Sequence, residues 1–192
     1  MGKTQYYTAT SVDGFIADER NSLDWLFEVP ADGGSGYGAF AEFFRGVGAF
    51  AMGSTTYEWV LAHENLVDEP DKWHGWYGST PCWVFTHREL PVVNGADIRF
   101  VQGDVRPVHE ALVAAADGMN VWLVGGGELV GCFADAGLLD EIWLGLQPVF
   151  LGAGAPLLPR RLTSKRVRLE SARQDGQQAL LVYSVRPETG PS

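Results

Sequence analysis

Three short segments of this 192-residue chain carry glycine, hydroxyl or cationic residues directly after a predicted buried strand. The clearest is VWLVGGGELVGCF at residues 121–133, in which an apolar strand leads through three glycines into a helix. Glycine lets a phosphate approach the backbone, and the free N–H groups of a first helical turn attract an anion. A tight strand-to-helix turn without a ligand explains this segment alone equally well.

The second segment, AMGSTTYE, ends a short apolar strand at Gly53 and starts a helix that we predict to run to about Ala62. The hydroxyl and N–H groups at its start are suited to a second phosphate of a dinucleotide. Simple N-capping of the helix by Ser54 or Thr55 is the alternative interpretation.

The third segment, VFTHRE, places Thr86, His87 and Arg88 at the carboxyl end of a predicted strand, where open α/β sheets bind ligands. Pairing of Arg88 or His87 with a 2′-phosphate would favour NADP over NAD. For either residue alone, a solvated surface loop is the alternative. Three such junctions in one chain favour a dinucleotide site, and the absence of GxGxxG argues against a Rossmann domain.

Strands that alternate with helices predict an α/β fold with a mostly parallel central sheet and helices on both faces. Two late strands, at residues 167–173 and 178–185, flank Asp175-Gly176 and predict an antiparallel hairpin at the C-terminal end. We predict one domain over residues 1–187, followed by a flexible tail at 188–192. The polar, tryptophan-rich stretch at residues 65–79 lacks clear periodicity and predicts a long loop.

Composition excludes several classes of function. A net charge of −10 disfavours nucleic acids and anionic membranes as partners, and no apolar run reaches the length of a membrane span. The first residues lack the apolar core of a secretory signal, so we expect a cytoplasmic protein. Cys82 and Cys132 both stand in apolar segments, which predicts two buried free thiols, and the scattered histidines predict no metal site.

Taken in order, TATSVDGFIA, LDWL, AMGSTTYE, VFTHRE, VWLVGGGELVGCF and LLDEIWLGLQPVFLGAGAPLL resemble the dihydrofolate reductase superfamily. The resemblance is strongest to the C-terminal reductase domain of bifunctional riboflavin-biosynthesis deaminase-reductase proteins. It implies a dihydrofolate-reductase-like three-layer fold, NADPH as cofactor and a homodimer. It also implies reduction of a C=N or related group of a small heterocyclic substrate, such as 5-amino-6-(5-phosphoribosylamino)uracil.

The resemblance also implies roles for individual residues. Asp13 begins a loop that closes over the active site, Trp25 lies near the substrate, and Asp13 or Asp24 is a candidate proton source. Cofactor contacts are implied for Ala9, Ile16, Gly53, Ser54, Thr55, Thr56, Thr86, His87, Arg88, Val124, Gly125, Gly126, Gly127, Glu128 and Leu129. True dihydrofolate reductases carry a pterin-binding carboxylate on the first helix, and here Glu42 is the nearest acid to that stretch, so we do not expect dihydrofolate as substrate.

Two other functions fit the same residues. One is a pterin or general imine reductase that uses the same cofactor site. The other is a protein that binds NADPH without catalysis, because a fold alone does not fix a function.

Overall fold

The computed structural model describes residues 2–28 and 37–186. The strands are β1 Thr4–Thr10, β2 Phe15–Ala17, β3 Val47–Gly53, β4 Cys82–Phe85, β5 Ile98–Val101, β6 Asn120–Gly125, β7 Glu141–Leu146, β8 Ala155–Pro156, β9 Val167–Asp175 and β10 Gln178–Val185. The helices are α1 Asp24–Phe27, α2 Tyr37–Phe44, α3 Ser54–His63, α4 Asp71–Tyr77, α5 Val105–Ala115 and α6 Gly127–Asp135. The predicted tail at 188–192 lies outside these ranges.

Eight of the strands form one sheet in the order β5-β4-β3-β6-β1-β7-β10-β9, and β2 pairs with β8 in a separate ribbon. All pairs from β5 to β7 are parallel, whereas β10 is antiparallel to both β7 and β9. The predicted mixed architecture is therefore confirmed. Because the six parallel strands share one direction, their carboxyl ends lie along one edge, which we call the carboxyl edge.

Helices cover both faces of the sheet, as predicted. Helices α5 and α6 pack on one face, where Leu112 and Phe133 are fully buried against Leu123. Helices α2, α3 and α4 pack on the other face, around Phe50 and Trp122. Each large apolar side chain buried in this way contributes about 1.5–3 kcal/mol to folding, so the two layers hold the carboxyl edge in place.

The prediction of a long loop at residues 65–79 is wrong, because this stretch contains α4. Trp73 is 1% exposed and Tyr77 lies 4.9 Å from Phe50 between ring centroids. Only these two aromatic residues of the helix face the core. The polar residues around them therefore obscured the helical spacing in the sequence. The tryptophan-rich stretch therefore supports the sheet.

The two cysteines differ in burial. Both thiols are free, and Cys82 is buried as predicted, whereas Cys132 is exposed. Cys132 lies on the outer face of α6, between the buried residues Gly131 and Phe133. The apolar sequence around it comes from neighbours that face the core, which explains the wrong prediction for this residue.

A buried carboxylate at the opposite, amino edge of the sheet gives a pH-dependent contribution to stability. Glu141 is 9% exposed and accepts hydrogen bonds from Lys3 Nζ, Gln5 Nε2 (2.7 Å) and Trp143 Nε1 (2.9 Å). Burial alone raises the pKa of the Glu141 carboxyl, but the donors outweigh burial and hold it below its ordinary value of 4.5. The unfolded chain therefore binds a proton first as the pH falls.

We expect Glu141→Gln to lower the free energy of unfolding by about 1–3 kcal/mol at pH 7, because it removes the charged acceptor of these bonds. The stabilisation is present above the unfolded pKa and is lost as the pH falls through the folded one, so the difference from wild type shrinks below 4.5. Urea denaturation at pH 7 and pH 4 measures both values. The exposed Glu89→Gln is the control, and an equal loss at both pH values would contradict the expectation.

Candidate active site

The starts of α3 and α6 adjoin at the carboxyl edge, because β3 and β6 are neighbouring parallel strands. A Cβ atom built on Gly53 lies 3.7 Å from both the carbonyl oxygen of Gly125 and the amide nitrogen of Gly126. A Cβ atom on Gly125 lies 3.8 Å from Oγ1 of Thr56. The structure thus brings together the two segments in which the sequence predicts phosphate binding.

Neither of these helices has a side-chain cap. Their N-cap residues are Gly53 and Gly126, both with extended backbone, and neither end has a side-chain cap hydrogen bond. The alternative of N-capping by Ser54 or Thr55 is therefore wrong. Helix α5 differs, because Asp104 accepts a hydrogen bond from the N–H group of Arg106. The first-turn N–H groups of α3 and α6 remain available to an external acceptor.

Arg88 links the third predicted segment to the first turn of α3. Its guanidinium donates to Ser54 Oγ (3.1 Å) and to both carboxylate oxygens of Glu58 (2.9 and 2.6 Å). Thr86 Oγ1 accepts from the N–H group of Arg88 at 2.9 Å and thereby shapes the loop. His87 is turned toward β5, with Nδ1 3.1 Å from Oε1 of Gln102. Arg88 is therefore the cation that stands at the start of α3.

Gly125 and Gly127 are required for different reasons. Gly125 has a φ of +140°, which side-chain-bearing residues rarely adopt, and its peptide bond to Gly126 is cis. A Cβ atom on Gly127 would lie 2.4 Å from the carbonyl oxygen of Pro156 and 2.6 Å from that of Leu157. Ile16 Cδ1 lies 3.9 Å from a Cβ atom built on Gly126, so β2 borders the start of α6.

Glu128 directs its carboxylate away from this meeting point of the two helices. The carboxylate accepts from Arg160 at 3.0 Å, and Arg160 also donates to Asp135 at 2.7 Å. Asp135 and then Glu128 raise the pKa of Arg160, which stays charged. Glu128 therefore offers the site its backbone N–H group. The predicted neighbours Val124 and Leu129 are half-buried and pack on opposite faces of the sheet.

Asp13 connects the loop after β1 to the loop after β7 through hydrogen bonds. Its carboxylate accepts from Ser11 Oγ (2.6 Å) and from the N–H groups of Leu151 (3.1 Å) and Gly152 (2.7 Å). The hydrogen bond from Ser11, followed by those from the backbone, lowers the pKa of the Asp13 carboxyl. A carboxyl that is ionised at neutral pH is a poor proton donor, so the structure argues against Asp13 as the proton source.

The remaining predicted residues of the catalytic region lie on α1, which docks on α3 through Phe27. The Phe27 ring stacks on His63 at 5.0 Å between centroids. Trp25 is 5% exposed, and its buried indole N–H group has no acceptor among residues 2–28 and 37–186. Asp24 is exposed. No hydrogen bond joins the side chains of Asp24 or Trp25 to the starts of α3 and α6 within the described residues.

Comparison with known proteins decides the family. Residues 59–181 match the RibD C-terminal domain family. The chain belongs to the RibD C-terminal domain family. Its relatives in Bacillus subtilis strain 168 include YwjB, 33% identical over 94% of this chain and 97% of YwjB, and YyaP, 27% identical over 78% of this chain and 76% of YyaP. Both are described as uncharacterised proteins.

Solved structures agree with the RibD assignment. A putative riboflavin biosynthesis protein from Shewanella sp. PV-4 superposes with a TM-score of 0.74 at 26% identity, over 97% of this chain and 99% of that one. The diaminohydroxyphosphoribosylaminopyrimidine deaminase/5-amino-6-(5-phosphoribosylamino)uracil reductase of Thermotoga maritima shares the fold with a TM-score of 0.61 at 15% identity. This chain is covered to 97% and spans 57% of the Thermotoga protein. The chain is thus a reductase-like protein of the riboflavin-biosynthesis type.

Sequence reasoning missed the residues beside Ala9 on the neighbouring strand of this RibD-type domain. Ala9 pairs with Gly145 of β7, and two buried glutamines, Gln147 and Gln178, follow at the carboxyl edge. Burial, followed by the charge of Asp175, raises the pKa of nearby Tyr7 to about 12. The signal that was available is a glutamine directly after the apolar strand sequence EIWLGL, where polar side chains of a buried sheet usually serve a purpose.

Two further observations concern the described parts of the chain. No group of three or more His, Cys, Asp or Glu side chains there is arranged to hold a metal ion. None of the described helices has the length and apolar character needed to cross a bilayer.

Proposed function

We propose that the protein is an NADPH-dependent oxidoreductase that reduces a C=N or related group of a small heterocyclic substrate. The observation that carries the proposal is the meeting of two uncapped helix starts at the carboxyl edge, where a Cβ atom built on Gly53 lies 3.7 Å from backbone atoms of Gly125 and Gly126. Family membership and the reductase activity of the Thermotoga protein support a ribosylaminopyrimidine as the substrate.

The residues at this edge fit a dinucleotide phosphate. Two helix starts direct partial positive charge at one point, and the glycines leave the backbone open to close approach. Arg88 would donate hydrogen bonds to the 2′-phosphate of NADPH, and the backbones of Ala9 and Ile16 would contact the nicotinamide carboxamide. When bound, NADPH supplies the hydride, and this chain's own residues bind and orient the two reactants.

Three side chains of the catalytic region have distinct tasks in this proposal. Asp13 positions the loop at residues 11–14 against residues 149–152 through its three hydrogen bonds. The N–H group of Trp25, which has no acceptor among residues 2–28 and 37–186, is a donor for a substrate or a bound water molecule. In this proposal the proton comes from water or from Asp24, whose carboxylate makes no ion pair with a described residue.

The substitution Gly53→Ala tests the proposal. Gly53 has a φ of −80°, and the new methyl group would lie at ordinary contact distance from the protein's own atoms. We therefore expect wild-type stability. The methyl group nevertheless fills the space that the phosphates need, so we expect the Kd for NADPH to rise roughly tenfold or more, equivalent to at least about 1.4 kcal/mol. Isothermal titration with NADPH measures this change.

Gly75→Ala on α4 is the matched control. No heavy atom lies within 4 Å of its added Cβ atom, and α4 is not part of the proposed cofactor site. Unchanged NADPH affinity in Gly53→Ala would contradict the proposed site. Oxidation of NADPH with 5-amino-6-ribosylaminouracil or with a dihydropterin then separates the pyrimidine reductase from a pterin reductase. Tight NADPH binding without turnover of either substrate would support the non-catalytic alternative.

The homodimer that the family resemblance implies and the cytoplasmic location that the sequence suggests are part of the same proposal. Val12 and Phe150 are 43% and 74% exposed on the two loops that Asp13 joins, so apolar surface is available there for a partner or a substrate. Sedimentation equilibrium measures the oligomeric state directly.

A further inference from the structure

Two buried, hydrogen-bonded side-chain carboxamides lie beside the proposed substrate site. Gln147 follows β7, and Gln178 begins β10 opposite it; the two residues are 6% and 7% exposed. Gln147 Nε2 donates to Gln178 Oε1 at 2.5 Å, and Gln178 Nε2 donates to Asp175 Oδ2 at 3.3 Å. Buried amides are costly unless they are bonded, so this arrangement calls for a reason.

Gly145 shows where the carboxamides lie. A Cβ atom built on Gly145 would be 3.0 Å from Gln178 Oε1, 3.7 Å from Gln147 Nε2 and 3.9 Å from the Cα atom of Ala9. Both side chains therefore fold over Gly145, on the sheet face that also carries Ala9. The backbone N–H group of Gln147 donates to the carbonyl oxygen of Thr10 at 2.8 Å, which fixes this residue at the end of β1.

The carboxylate of Asp175 fixes which amide group donates and which accepts in these hydrogen bonds. A carboxylate only accepts hydrogen bonds, so the amide nitrogen of Gln178 must face it and the amide oxygen of Gln178 must face Gln147. Gln147 must then donate. Its own oxygen accepts no hydrogen bond from any residue of the described ranges, so Gln147 offers an oxygen acceptor and a second N–H donor.

The aromatic side chains beside Ala9 agree with a flat ring at this point. Tyr7 and Trp143 lie on the same sheet face, with ring centroids 6.4 Å apart, and Phe43 stacks on Tyr7 at 4.7 Å. Ala9 adds only a methyl group between this aromatic wall and the carboxamides.

We propose that Gln147, oriented through Gln178 by Asp175, binds the cyclic amide edge of the heterocyclic substrate and thereby determines specificity. A cyclic amide presents an N–H donor next to a carbonyl acceptor, which is the complement of a primary carboxamide. Uracils and oxidised pterins share this edge, and purely apolar imines lack it. The inference rests on the proposed function because it places the substrate ring beside Ala9.

Calorimetric titration with two uracils tests the inference. The probes are 5,6-diaminouracil and its 1,3-dimethyl analogue, in which methyl groups replace both ring N–H groups. We expect the wild-type protein to bind 5,6-diaminouracil roughly tenfold more tightly, because one hydrogen bond to the carboxamide oxygen of Gln147 is at stake. Gln147→Leu should bind the two uracils with equal affinity, and Gln178→Leu should reduce the ratio because Gln147 loses its fixed orientation.

Gln177→Leu on the same hairpin is the control and should keep the wild-type ratio, since Gln177 is exposed. A wild-type ratio in Gln147→Leu, or no binding of either uracil by the wild-type protein, would overturn the inference. All titrations are made with and without NADPH. Loss of NADPH binding alone would refute the proposed cofactor and leave the uracil ratio as an independent result.

Discussion

Gly127→Ala should destabilise the protein more than Gly53→Ala, the other glycine substitution proposed at the carboxyl edge. The added Cβ atom would meet the backbone oxygens of Pro156 at 2.4 Å and Leu157 at 2.6 Å, which cannot rotate away as a side chain would. We expect the free energy of unfolding to fall by about 3 kcal/mol, at the upper end of what overpacking usually costs. For a chain of this size the melting temperature should drop by roughly 6–12 °C.

Differential scanning calorimetry measures this loss. Gly75→Ala is again the control, because its Cβ atom meets nothing and alanine favours the helix, so it should be neutral or stabilising by about 0.5–1 kcal/mol. The contrast with Gly53→Ala is informative, since that variant should keep its stability and lose cofactor. If Gly127→Ala unfolds at the wild-type temperature, the packing of α6 against β8 is not as tight as the structure shows.

Arg88→Ala should change the choice between the two nicotinamide coenzymes. Loss of charged hydrogen bonds to a 2′-phosphate is worth about 1.5–3 kcal/mol, so NADPH should bind roughly ten- to hundredfold more weakly. NADH lacks that phosphate and should bind with its wild-type affinity. Titration of the variant with both coenzymes measures the ratio of the two Kd values.

Glu58→Gln should have the opposite effect on the affinity for NADPH. The Glu58 carboxylate engages the Arg88 guanidinium at 2.6 and 2.9 Å and so competes with a phosphate. Removal of its charge should tighten NADPH and leave NADH unaffected. Equal weakening of both coenzymes in Arg88→Ala would mean that Arg88 only supports the start of α3, through Ser54.

The sequence predicted the parts of this site that depend on strand ends. Buried apolar runs such as residues 121–124 are typical of central parallel strands, whose carboxyl ends must share an edge. That rule was enough to expect Gly53 and Gly126 near one another. It was also enough for Arg88, since β4 lies beside β3 in the sheet.

Side-chain partners were beyond reach because they come from distant parts of the chain. Asp13 meets Leu151 and Gly152 across 138 and 139 positions of sequence. No local pattern encodes such a contact, so Asp13 was expected to serve as an acid when its neighbours keep it ionised. The same holds for Gln147 and Gln178, whose pairing depends on β10 folding back beside β7.

The position of β1 in the sheet has a consequence for how the chain reaches its native state. Its two neighbours, β6 and β7, come from residues 120–146, although β1 itself begins at Thr4. During synthesis, β1 must therefore wait for its first partner strand until residues 120–125 have left the ribosome. Such late, non-local pairing makes folding slow and leaves apolar segments exposed in the interval. Low temperature or chaperone assistance during expression should accordingly improve the yield of folded protein.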